Sequence, residues 1–206
     1  MRHEHHKRPP GRPVSEAAAE PTSETILKKA AELFTQYGYD AVSISDIATG
    51  CGVTKATIYY YYATKTDIFA ASITDKLNQV VYHIEMILQR DEPLKQRLET
   101  MTELYLQGTH LDFESLLTKA SRHLSEEQVR QVRTAEKGIY SAIAAEFGKA
   151  AERGEVSMDD PLVAAHAFCS MLMIGDRRYS GTHGLFASPR EAAIKLVALF
   201  WQGIRP

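Results

Sequence analysis

Hydrophobic side chains recur along most of this chain at the three- and four-residue spacing of helices that bury one stripe. Ile26, Ala30, Leu33, Phe34 and Tyr37 form the first stripe and predict a helix over 23–38, which Gly38 ends. Phe69, Ile73, Leu77, Val80, Ile84 and Ile87 or Leu88 predict a longer helix over 65–90, long enough to connect two domains. Pro93 opens the next, with Leu94, Leu98, Met101, Leu104 and Tyr105 in line and Gly108 near its end. A further amphipathic helix is predicted over 112–123. Ser125-Glu126-Glu127-Gln128 then reads as a capping box that opens a helix running to about 153, buried through Val132, Ile139, Ile143 and Phe147 and closed by Gly154.

The last two helical stretches, after Asp159-Asp160-Pro161 and after Ser188-Pro189, are apolar nearly all round. Such helices must be covered on every side. Near the end of a chain this size that predicts a four-helix interface with a second copy, with His166, Met173, Leu196, Phe200 and Trp201 as its candidates. The competing reading makes these helices the centre of a monomeric core.

Between the first two stripes lies SISDIATGCGVTKATIYYYYATK, residues 43–65. β-formers are dense at 41–45 and 59–62, yet caps and glycines bound each run within a few residues, so short helices fit better than strands. Ser43 and Asp46 have capping-box spacing, Ile47 and Ala48 point to a core, Gly50 and Gly52 bracket the stop, and Thr54 caps a second helix. Lys55, Ala56, Thr57 and Tyr60 lie in the first turns of that helix, the end that a recognition helix presents to bases. Four consecutive tyrosines on a helix point about 100 degrees apart, so they cannot share one role. Tyr62 lies one turn beyond Ile58 and is assigned to the core; Tyr59, Tyr60 and Tyr61 remain for a DNA side. Lys65, after a Thr64 cap paired with Asp67, opens the long helix where its dipole disfavours a cation, a conflict that a bound phosphate would reverse.

The order Ser43-Ile44-x-Asp46-Ile47-Ala48, Gly52-Val53-Thr54, Thr57-Ile58-Tyr59-Tyr60 and Lys65 resembles the TetR family of one-component regulators. The resemblance covers about a third of the chain, from Thr22 to Phe69, and elsewhere extends to helical architecture, with an AefR-like flavour in the closing segment. Tyr61 stands where that family commonly has histidine, and Tyr62 where it commonly has a buried phenylalanine. The resemblance implies base contacts from Lys55, Ala56, Thr57 and Tyr60, and phosphate contacts from Ser43, Thr54, Tyr59, Tyr61 and Lys65. It also implies an effector pocket among the middle helices, for which Tyr105, His110, Phe113, Met171 and Arg177 combine apolar surface with a few donors.

The expected architecture is therefore all-α, with about nine helices: a basic disordered arm over 1–21, a three-helix helix-turn-helix domain over 22–68, and a helical effector-binding and dimerisation domain over 69–206. Composition narrows the function further. A net charge of −2 on 206 residues argues against general coating of nucleic acid, so DNA binding must come from a local basic surface. Basic charge is concentrated in the arm, where Arg2, Lys7, Arg8 and Arg12 oppose only Glu4 before Val14. The Gly11-Arg12-Pro13 element suits a narrow minor groove, with Arg8 and Arg12 as its contacts; the plainer reading is a solvated tail.

Two distant cysteines exclude a disulfide framework and fit a reducing cytoplasm. No secretory signal or membrane span is expected. Glycine-rich phosphate loops, nucleophile elbows, paired catalytic carboxylates and metal-spaced histidines do not occur, so neither enzyme, cofactor nor metal is expected. The expected partners are double-stranded operator DNA, a second copy of the chain and a small-molecule effector, with repression relieved by that effector. The alternative is a helical small-molecule scavenger with a non-functional helix-turn-helix.

Overall fold

A computed structural model describes residues 23–108, 113–175 and 184–204. Among them the chain forms nine helices: α1 (Ser23–Tyr37), α2 (Ile44–Cys51), α3 (Lys55–Tyr61), α4 (Lys65–Leu88), α5 (Leu94–Gln107), α6 (Phe113–Ser121), α7 (Glu126–Glu152), α8 (Pro161–Gly175) and α9 (Pro189–Ile204). The all-α architecture predicted from periodicity is the one observed, with ends shifted by a residue or two. The terminators act as their chemistry requires. Gly38 and Gly154 adopt the left-handed conformation, with φ of 82° and 73°, just past the ends of α1 and α7.

The core has two connected parts. The first gathers Ile26, Ala30 and Phe34 of α1, Ile47 and Ala48 of α2, Ile58 of α3 and Ile68, Phe69 and Ile73 of α4. Leu116, Leu117 and Ala120 of α6 and Val132 and Ala135 of α7 complete it, so apolar packing crosses the expected boundary at 68–69. Phe34, Tyr39 and Phe69 form its aromatic centre, with ring centroids 5.1 to 5.9 Å apart. The second part joins the C-terminal half of α4 to α5, α7, α8 and α9 through Ile84, Leu98, Ile143, Phe147, Phe168 and Val197.

The two long helices α4 and α7 run side by side in the same direction. Asp67 meets Gln128 near their starts, Val81 meets Gly138 midway, and Arg97 bonds both the Leu88 carbonyl and Glu146 near their ends. A Cβ at Gly138 would lie 3.2 Å from the Val81 side chain, so the two helices approach closely at this crossing.

Two of the residues expected to face a second copy belong to this chain's own core. Leu196 is 4% exposed, in line with Ala192, Ala193 and Val197 on the inner side of α9. Phe200 packs on Phe147 and Phe168 at 5.8 and 5.1 Å. Trp201 is half-buried against the second core and borders a surface cavity. Met173, at 66% exposed, and His166 do face outward, as do Leu162 and Val163 of α8 and Ile194 and Leu199 of α9. Among the described residues no helix is long and apolar enough to cross a membrane.

Candidate nucleic-acid interface

The site begins with local capping. The Ser43 hydroxyl accepts from the Asp46 amide at 3.2 Å, and the Asp46 carboxylate accepts from the Ser43 amide at 2.8 Å, closing the predicted capping box on α2. The Ser43 hydroxyl also donates to that carboxylate at 2.6 Å, and this bond first, then the one from the Ser43 amide, holds the Asp46 carboxyl below its ordinary range. Gly52, with φ of 69°, turns the chain, and the Val53 amide donates to the Ala48 carbonyl at 2.9 Å. Thr54 then caps α3 by accepting from the Thr57 amide at 3.2 Å.

In α3 only Ile58 is fully buried, so one side chain roots the helix and the others are left to the surface. Lys55, Ala56, Tyr59, Tyr60 and Tyr61 are exposed, and Thr57 is half-buried with its hydroxyl 3.0 Å from that of Thr54. Tyr60 is the most exposed of the three outer tyrosines, at 82%, and meets Tyr61 edge-on at 5.1 Å. Tyr62 turns inward as its angular position predicts, packing on the first core with its hydroxyl 3.4 Å from that of Ser23. The helix carries one cation and no carboxylate, a surface of donors and rings that can approach a polyanion without like-charge repulsion.

Lys65 is placed less simply than its sequence suggests. Its ammonium lies 4.2 Å from the centroid of the Tyr39 ring, a cation–π contact that satisfies part of its charge within the protein. Burial there lowers its pKa, while the Asp40 and Asp46 carboxylates pull the other way. Behind it, the Thr64–Asp67 capping box forms as predicted.

Sequence reading missed the connections between this module and the corner joining α6 to α7. Arg122 bonds Asp40 at 2.5 Å, the His123 ring stacks on Tyr39 at 5.1 Å, and its Nε2 lies 3.3 Å from Asp40. Gln128 donates to Asp67 at 2.8 Å. The partners stand 61 to 84 positions apart in sequence, and neither spacing nor periodicity marks them.

The effector candidates are only partly placed. His110 and Arg177 lie outside the described residues, as do Arg8 and Arg12 of the arm. Tyr105 is 41% exposed in the last turn of α5, Phe113 opens α6 beneath the Arg133 guanidinium at 5.6 Å, and Met171 packs on the second core. The ends of α5 and α8 touch, since a Cβ at Gly175 would fall 2.6 Å from Leu106. A cavity of about 330 Å³ lies instead among Glu92, Pro93, Leu94, Lys95, Arg97, Glu155 and Trp201, and none of the candidates lines it. Among the described residues no three His, Cys, Asp or Glu side chains converge as metal ligands would.

Comparison with known proteins bears on this surface directly. Residues 26–72 match the bacterial regulatory proteins of the tetR family. The chain is 31% identical over 67 residues to the biofilm operon icaADBC HTH-type negative transcriptional regulator IcaR of Staphylococcus epidermidis, covering 32% of this chain and 35% of that protein. It is 27% identical over 97 residues to the HTH-type transcriptional activator FasR of Mycolicibacterium smegmatis, covering 44% of each. The matched segments thus span less than half the length of these relatives. The fold is similar through nearly the whole chain to a TetR-family regulator structure from Mesorhizobium loti, with a TM-score of 0.70, 21% identity and coverage of 89% of this chain and 96% of that one.

Proposed function

We propose that this protein, whose residues 26–72 match the tetR family of bacterial regulatory proteins, is a ligand-responsive transcriptional regulator that grips operator DNA as a homodimer. The observation that carries the reading is α3 itself, a capped, carboxylate-free helix rooted by Ile58 and exposing Lys55, Ala56, Tyr59, Tyr60 and Tyr61. In this reading Lys55, Ala56, Thr57 and Tyr60 face base edges. Ser43, Thr54, Tyr59, Tyr61 and Lys65 hold phosphates, and Arg8 and Arg12 follow the minor groove.

Two recognition helices are needed to read half-sites roughly 34 to 36 Å apart. The outward apolar residues of α8 and α9, Val163, Met173, Ile194 and Leu199 with His166 beside them, supply a surface for the second copy. The dimer represses by occupying a promoter. An effector held near Tyr105, His110, Phe113, Met171 and Arg177 releases it by favouring a conformation with mismatched half-site spacing. The work is binding rather than catalysis, carried out in the cytoplasm where the DNA is.

The test is binding of the purified protein to the DNA upstream of its own coding sequence across a salt series, with random DNA as competitor. Competitor-resistant binding that protects two half-sites is expected. Equal, weak binding to both DNAs, there and in a wider operator selection, would remove the regulatory reading.

A further inference from the structure

We propose that Gln128, on α7 and outside the helix-turn-helix, is a positioning residue for the DNA-binding face; the inference rests on the regulatory reading above. Gln128 is the third residue of α7, and its side-chain oxygen accepts from the Ser125 amide at 2.9 Å in that helix's own capping box. This leaves the amide NH2 free to act elsewhere, and it donates to Asp67 Oδ1 at 2.8 Å in a part-buried contact. The other Asp67 oxygen accepts from the Thr64 amide at 3.0 Å and the Thr64 hydroxyl at 2.7 Å. One carboxylate therefore joins two capping boxes, and the first turn of α4 is fixed to the first turn of α7.

Thr64 follows Tyr62, which caps the end of α3, by two residues, and Lys65 follows at once. A shift of the first turn of α7 relative to α4 is thereby felt at the base of the recognition helix and at the expected phosphate contact. The identity of the side chain matters. Capping α7 requires only an oxygen, so glutamate would serve equally well there. Reaching Asp67 requires a donor, which glutamine has and glutamate lacks. The second tie, from Arg122 and His123 to Asp40, secures the corner between α1 and α2 to the same α6–α7 corner and is separate from the bond between Gln128 and Asp67 at the first turn of α4.

The substitution Gln128→Glu keeps the cap on α7 and sets two carboxylates against each other across the tie. The double variant Asp67→Asn with Gln128→Glu reverses donor and acceptor and restores the bond. Hydrogen exchange of the amides at 64–68 is measured in the intact protein, together with affinity for the upstream DNA. In Gln128→Glu, exchange at 64–68 is expected to rise while the first turn of α7 stays protected, and affinity to fall by about three- to ten-fold. The double variant is expected to regain both. Wild-type exchange and affinity in Gln128→Glu would overturn the proposal, as would a double variant no better than the single. If the wild-type protein bound no DNA, the regulatory reading and the DNA-positioning role would fall together, whereas intact binding with an unaffected Gln128→Glu variant would remove the positioning role alone.

Discussion

Lys65 shows how a single side chain can be legible in one respect and hidden in another. Its place at the start of α4 follows from the Thr64–Asp67 cap, but the Tyr39 ring beneath its ammonium lies 26 positions upstream and arrives there through tertiary packing. If Lys65 leaves that ring to pair a phosphate, Lys65→Ala weakens binding to all sequences alike and lowers the salt slope by about one. Tyr60→Ala instead alters sequence preference with the slope unchanged; titrations at several salt concentrations separate the two. The orientation of Tyr62 was readable because helical geometry separates neighbouring side chains by a fixed angle. Cys169 offers a second test at this scale. Burial pushes its thiol up to about 12, and burial raises that of Cys51 as well. At pH 8 Cys169 is therefore expected to resist a thiol-reactive probe in the folded protein and to react promptly once denaturant is added.

Helix ends were the most readable elements, because a cap and its partner lie within four residues of each other. All the predicted boxes, at Ser43, Thr64 and Ser125, are present. Ser43→Ala is expected to lower stability by about 1 kcal/mol, measured by denaturant unfolding. Gly52→Ala, which meets open space but must hold a φ of 69°, should cost about as much through backbone strain alone. The caps and surface pairs also contribute to stability in acid. Asp46, Glu114, Glu155 and Glu191 are held below their ordinary values by Ser43, Arg133, Arg153 and Lys195 respectively. Because their folded pKa values are depressed, their contribution is complete above the ordinary carboxylate range near about 4 and is lost as pH falls through the lower folded values. The melting temperature should thus change little in its carboxylate-dependent part from pH 7 to about 5 and decline below about 4, as thermal scans followed by circular dichroism would register.

At the scale of the whole molecule, hydrophobic pattern identified α8 and α9 as helices needing cover on every side, but could not say which sides the chain covers itself. That depends on α7 packing on α8, and on α5 packing on α9, which turns Leu196 and Phe200 inward and leaves Met173, Val163 and Leu199 outside. Met173→Glu together with Val163→Glu is expected to yield a folded monomer by analytical ultracentrifugation, with the cooperative occupation of two half-sites lost. Nor does periodicity show that α6 and α7 complete the core beneath the helix-turn-helix, across the expected division at residue 68. Such packing depends on pairs of helices far apart in sequence, each apolar stripe having several possible mates.

The rooting of α3 by Ile58 separates the side chain that makes that helix fold from the side chains that it presents to the surface. Its outer side chains form an interchangeable address on a fixed mount. On the proposed reading, descendants of this chain could be redirected to new DNA sequences through a few substitutions on that outer face while inheriting the same packed scaffold.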